Sequence, residues 1–166
     1  MAQVTHPLLG AIDPSKPGYL DAEVTFAGRV VRVDLTIEEP GLSSSVFGKL
    51  PQSLGDLEPL DCAARAAIIS DAQSGDADSA AVLYLTHHHD ELSSDDYQRL
   101  FGVTAPDLGD PAPLLRRLAL VRVGLYPGQD DRQILMDYSI DPDTTNYLLC
   151  VCFDSDGHAT AVDLES

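Results

Sequence analysis

The 166-residue chain has no tryptophan, two lysines, three cysteines and only 6% aromatic residues. Each shortage excludes something. With so few aromatics, a platform on which bases or sugars stack is not expected. Ten Lys+Arg stand against 27 Asp+Glu, a formal net charge of -17. The basic footprint of a nucleic-acid binder is therefore missing, and so is the polybasic patch that holds a protein on an anionic membrane. No apolar run approaches the ~20 residues that cross a bilayer. Met1–Pro7 has no positive charge ahead of a long apolar stretch, so a signal peptide is not read there and a cytoplasmic location is expected. Lys16 and Lys49 follow no glycine-rich phosphate loop, and no G-x-S-x-G elbow is present. Cys150 and Cys152 would share one face of a strand with Cα atoms ~6.5–7 Å apart along it, at or beyond disulfide reach. Reduced, buried thiols are expected at all three cysteines, and no cofactor is expected.

What is present is enough apolar material, 44% of the chain, to fill the core of one domain spanning 1–166. Residues 1–18 are rich in Pro and Gly and read as an irregular lead-in. Leu20–Phe26 and Arg29–Glu38 alternate apolar and polar residues on either side of Ala27-Gly28, a hairpin pattern with Val31, Val33, Leu35 and Ile37 on one face. Ser43–Ser45 reads as the start of a loop. Leu57, Leu60, Ala64 and Ile68 form one helical stripe, with Pro59 assigned to its first turn. A second helix is expected from Ser79 to about Asp90, although its Ala80–Leu85 core also reads as a short strand. A third is expected after an N-cap at Ser94 and is closed by Gly102.

Leu118–Leu125, Gln133–Ile140, Tyr147–Phe153 and Ala159–Leu164 follow as four strands with turn-rich separators. Asp156-Gly157 reads as a type I′ hairpin turn. The fold class is α+β: an antiparallel sheet of about six strands, an N-terminal hairpin plus a C-terminal four-stranded meander, with about three helices on one face.

Two segments invite a metal reading. His87-His88-His89 on a helix point about 100° apart, so at most His87 with Glu91 has the i, i+4 spacing of a helical site; a solvated helix end is expected. Asp141-Pro-Asp143 and Asp154-Ser-Asp156-Gly resemble fragments of a calcium loop without its remaining ligands, so turn chemistry is expected.

The acids themselves are unevenly spread. Residues 70–110 hold nine acids and one base, and 130–166 hold nine and one, while 111–129 hold Arg116, Arg117, Arg122 and no acid. The acids expected at helix ends and sheet turns are candidates for binding a basic protein partner: Asp90, Glu91, Asp95, Asp96, Asp130, Asp131, Asp141, Asp143, Asp154 and Asp156.

The stretch Asp137–Ser166 carries an Asp-Tyr-Ser strand, a short acidic turn, a Leu-Leu-x-Val-x-Phe strand, an Asp/Gly hairpin and a terminal Glu-Ser. In this it resembles a family of small acidic bacterial proteins of unknown function, a kind that often looks like immunity proteins. The resemblance implies an α+β fold and carries over no catalytic residue. The leading expectation is a non-catalytic acidic binding protein, an immunity-type inhibitor of a cationic toxin or enzyme. The alternatives are a divalent-metal-dependent hydrolase or metal-binding protein using His87, Glu91 and turn aspartates, and a structural or self-associating module.

Overall fold

A computed structural model describes residues 3–166. Its chain order is β1 (Val4–His6), β2 (Gly10–Ile12), β3 (Gly18–Phe26), β4 (Arg29–Ile37), α1 (Ser44–Phe47), α2 (Leu54–Ala72), α3 (Ala80–Glu91), α4 (Ser94–Phe101), α5 (Ala112–Leu115), β5 (Ala119–Leu125), β6 (Ile134–Ser139), β7 (Leu148–Phe153) and β8 (Ala159–Glu165). The lead-in is more ordered than its composition suggests, because β1 and β2 pair as a small separate hairpin.

Strands β3 to β8 form one sheet in sequence order. Every neighbouring pair is antiparallel except β4–β5, which are parallel. That exception follows from connectivity. All five helices lie between β4 and β5, and a parallel partner needs such a crossover. The α+β expectation holds, with this one parallel junction added.

One face of the sheet is the core. Val31, Val33, Leu35 and Ile37 of β4, Val123 and Leu125 of β5, Met136 and Tyr138 of β6, and Leu149, Val151 and Phe153 of β7 are buried there. The stripe Leu57, Leu60, Ala64 and Ile68 of α2, with Ala81, Tyr84 and Leu85 of α3, joins the same cluster. At ~25 cal/mol per Å² of apolar surface, burial of this stripe stabilises helix and sheet together.

Several local details differ from expectation. Helix α2 begins at Leu54, not near Leu57, because Ser53 and Asp56 form a capping box. Pro59 thus sits in the second turn, where its missing N–H leaves one helical bond unmade. The N-cap of α4 is Ser93, one residue earlier than expected, and Gly102 closes it at φ 78°. Ser43 caps the single turn of α1 rather than opening a loop. Cys62 is exposed, since it lies off the α2 stripe.

The type I′ turn is at the other hairpin. Ala27 and Gly28 have φ 49° and 76°, the pair of positive angles such a turn requires. Asp156 is not in the left-handed region; only Gly157 is, at φ 81°. The β7–β8 connection is instead a five-residue loop, in which Asp154 N–H donates to the His158 carbonyl and Gly157 N–H to the Asp154 carbonyl.

Candidate functional site

The ten candidate acids divide between the two ends of the sheet. Asp141 and Asp143 lie in the β6–β7 connection, and Asp90, Glu91, Asp95 and Asp96 lie where α3 gives way to α4. These six share one end, because Tyr147 Oη donates to Glu91 Oε1 at 2.9 Å and His88 Nε2 lies 2.9 Å from Thr145 Oγ1. Asp130 and Asp131 in the β5–β6 connection and Asp154 and Asp156 in the β7–β8 loop lie at the other end. Strands of six or seven residues separate the groups by about 20 Å. The two acidic blocks do not make one contiguous face.

Some of these carboxylates are occupied locally. Asp141 accepts from Asp143 N–H and Thr144 Oγ1, and Asp154 accepts from the N–H groups of Asp156 and His158. The calcium-loop fragments are therefore turns whose aspartates bind their own backbone. Asp96 is held by Ser93 and Arg99. Hydrogen bonding lowers the pKa of Asp96, Asp141 and Asp154 alike. Asp90, Glu91, Asp95 and Asp143 make no ion pair with Lys or Arg among the described residues, although Asp90 lies 3.4 Å from His89 Nδ1 and Glu91 accepts from Tyr147 Oη.

Between α3 and the β6–β7 connection is a recess of about 490 Å³ lined by His88, Glu91, Thr145 and Tyr147 among others. The histidine run is not a uniformly solvated helix end. His89 is exposed, but His88 is 1% exposed. Its Nδ1 lies 2.7 Å from the Tyr84 carbonyl, and its ring packs on Tyr84, Phe101 and Tyr147. His88 ties α3 to the β6–β7 loop rather than offering itself to solvent. His87 and Glu91 gain no third ligand, because the one three-ligand group among the described residues lies elsewhere.

Burial pulls the His88 pKa down, against the Tyr84 carbonyl and Glu91, which raise it; His6 is lowered by burial as well. Both folded values lie below the unfolded one, so protons bind preferentially to the unfolded chain. Stability from these histidines is fully present above pH ~6.5 and is lost as pH falls below it toward the folded values. Urea midpoints measured from pH 8 to pH 5 are expected to fall below pH ~6.5, and His88→Leu to flatten that fall. An unchanged slope in the variant would remove His88 from this role.

The sheet face opposite the helices holds a second constellation. Arg122 of β5 donates from Nε and Nη2 to both oxygens of Asp34 at 2.6 and 2.8 Å, from Nη1 to Asp137 Oδ2 at 3.0 Å, and from Nη2 to Tyr126 Oη at 2.9 Å. Asp34 and Asp137 are 1% and 2% exposed. Gly124 stands opposite Asp34 in the ladder, and a Cβ there would come within 2.8 Å of Arg122 Nη2. The missing side chain lets the guanidinium lie along its own strand.

The hydrogen bonds to Asp34, Tyr126 and Asp137 keep Arg122 firmly protonated. Beside it are Cys150 and Cys152, both fully buried. The neighbouring Cys152 thiol and burial push Cys150 up, and Cys150, with Arg132 nearby, draws Cys152 down.

Asp34 looks like a solvent-facing position in the β4 alternation. Only its pairing with Arg122, 88 residues away, explains its burial. Among the described residues no helix is long and apolar enough to cross a membrane. No family model, curated protein or solved structure matches the chain.

Proposed function

We propose that this chain is a non-catalytic binding protein for a basic protein partner, in the manner of an immunity-type inhibitor of a cationic toxin or enzyme. The observation that carries the reading is the group of carboxylates without a Lys or Arg partner among the described residues, Asp90, Glu91, Asp95 and Asp143, at the α3–α4 end, where Glu91 lines the recess. Such a rim makes the local potential negative by several kT and steers a cationic partner. Asp141 and Asp96 belong to the same rim. Asp130, Asp131, Asp154 and Asp156, about 20 Å away, act only at long range.

Self-association is disfavoured by the sheet edges. β3 carries Asp21 and Glu23, and β8 carries Asp163 and Glu165. A second copy pairing edge to edge would bring like charges together, a common protection for exposed strands.

The test is capture of basic proteins by the immobilised chain at about 50 mM and about 500 mM salt, where the Debye length shrinks from ~14 to ~4 Å. A retained partner should elute as salt rises and should bind at least about tenfold more weakly to Asp90→Asn/Glu91→Gln/Asp95→Asn. Retention of nothing at low salt, or equal retention by the variant, refutes the reading. A partner whose binding falls instead with Asp130→Asn/Asp131→Asn/Asp154→Asn would move the interface to the opposite end.

A further inference from the structure

We infer that Asp137, Cys150 and Glu165 form a zinc(II) site on the helix-free face of the sheet. Their ligand atoms all lie within 4.8 Å of one another. They come from three adjacent strands: Cys150 pairs with Asp137 on one side, and on the other it faces Asp163, two residues before Glu165. Such ladder positions hold ligands more firmly than loops do.

The decisive atom is Asp137 Oδ1. The Asp137 carboxylate is buried, and its Oδ2 is taken by Arg122 Nη1. Oδ1 is buried and has no hydrogen-bond partner. A buried oxygen without a donor is costly, and a bound cation satisfies it. Arg122 then acts as an outer-shell group that fixes the carboxylate and leaves one oxygen free, the arrangement that orients metal ligands elsewhere. Arg122 is itself held by both oxygens of Asp34 and by Tyr126.

Local charge agrees. Around the cluster this face brings the carboxylates of Asp34, Asp137, Asp163 and Glu165 near Arg122 and Arg132, while Arg32 farther along it is paired with Asp21. The donor set selects the ion. A thiol sulfur beside two carboxylates suits zinc, whereas magnesium and calcium take oxygen ligands alone. On binding, the Cys150 S–H proton leaves to solvent as the S–Zn bond forms, with no change of oxidation state. Glu165 is exposed and closes the site from the solvent side. Water supplies the fourth position.

Tag-free protein is titrated with zinc(II) against a chromophoric chelator, and with cobalt(II) to read the thiolate-to-metal absorption band in the near ultraviolet. Binding of about one zinc per chain is expected, with no comparable uptake of magnesium or calcium. Cys150→Ser should abolish the cobalt–thiolate band. Glu165→Gln, at an exposed strand end that the fold does not depend on, should weaken zinc affinity by about 10–100-fold. Cys62→Ser and His87→Gln should change neither readout. Absence of zinc uptake overturns the inference. So does a zinc affinity unchanged by Glu165→Gln, or uptake lost with His87→Gln, since either places the ion outside this cluster.

Discussion

Arg122→Ala is expected to destabilise the protein by about 3–5 kcal/mol, the largest effect of any single polar substitution here. The loss is not the worth of an ordinary ion pair. Asp34 and Asp137 are almost wholly buried and share this one guanidinium. Removing it strands two carboxylates in a water-poor environment, where an isolated charge is far costlier than the pair. A surface control separates the two cases. Arg99, paired with Asp96 at 3.2 Å and half exposed, should cost less than about 1 kcal/mol when replaced by alanine. Equilibrium urea unfolding reads both. The triple change Asp34→Leu/Asp137→Leu/Arg122→Met should recover most of the loss, because an apolar set of similar volume needs no counter-charge. If Arg122→Ala costs no more than Arg99→Ala, the cluster does not hold the sheet face together.

Tyr138→Ala is expected to cost about 3–5 kcal/mol, mostly through the cavity it leaves. Tyr138 is fully buried where α2 crosses β6. Its hydroxyl donates to Asp61 Oδ1 at 2.6 Å, and Asp61 in turn holds Arg65 at 3.0 Å. Arg65 reaches over the Tyr138 ring, 5.2 Å from its centroid, and donates to the Leu118 carbonyl at 2.8 Å. The ring thus packs the helix on the sheet while its hydroxyl anchors a helix acid. Tyr138→Phe keeps the packing and loses only the hydrogen bond, so about 1–2 kcal/mol is expected. Thermal or urea unfolding of the two variants tests the division. Equal losses would mean that the hydroxyl, not the ring, carries the contact.

The parts legible in the sequence are those governed by local period. Val31, Val33, Leu35 and Ile37 announce β4 because residues two apart share a face, and all four are buried. The stripe Leu57, Leu60, Ala64 and Ile68 announces α2 for the same kind of reason, and it too is buried. What stayed hidden depends on long-range register. Asp34 and Arg122 meet only because β4 and β5 run parallel, and no period within either strand encodes that pairing. His88 reads as one of three equal neighbours until Thr145 and Phe101 enclose it. The one-turn helices α1 and α5 are shorter than a period can reveal. At the candidate site, the residue types were readable but their division between two ends was not, since each acid's address is set by which strands its turn connects.

The parallel β4–β5 junction also sets a timetable. A ribosome delivers the β3–β4 hairpin first and β5 only about 80 residues later, a wait of roughly 4–16 s at ~5–20 residues per second. Throughout it, the inner edge of β4, with Val31, Val33 and Leu35 along it, has no strand to pair with. The helices, emerging in that interval, are the first covering those side chains can find. The helical crossover, the last layer one would name in the finished fold, is thus the first one synthesised after β4.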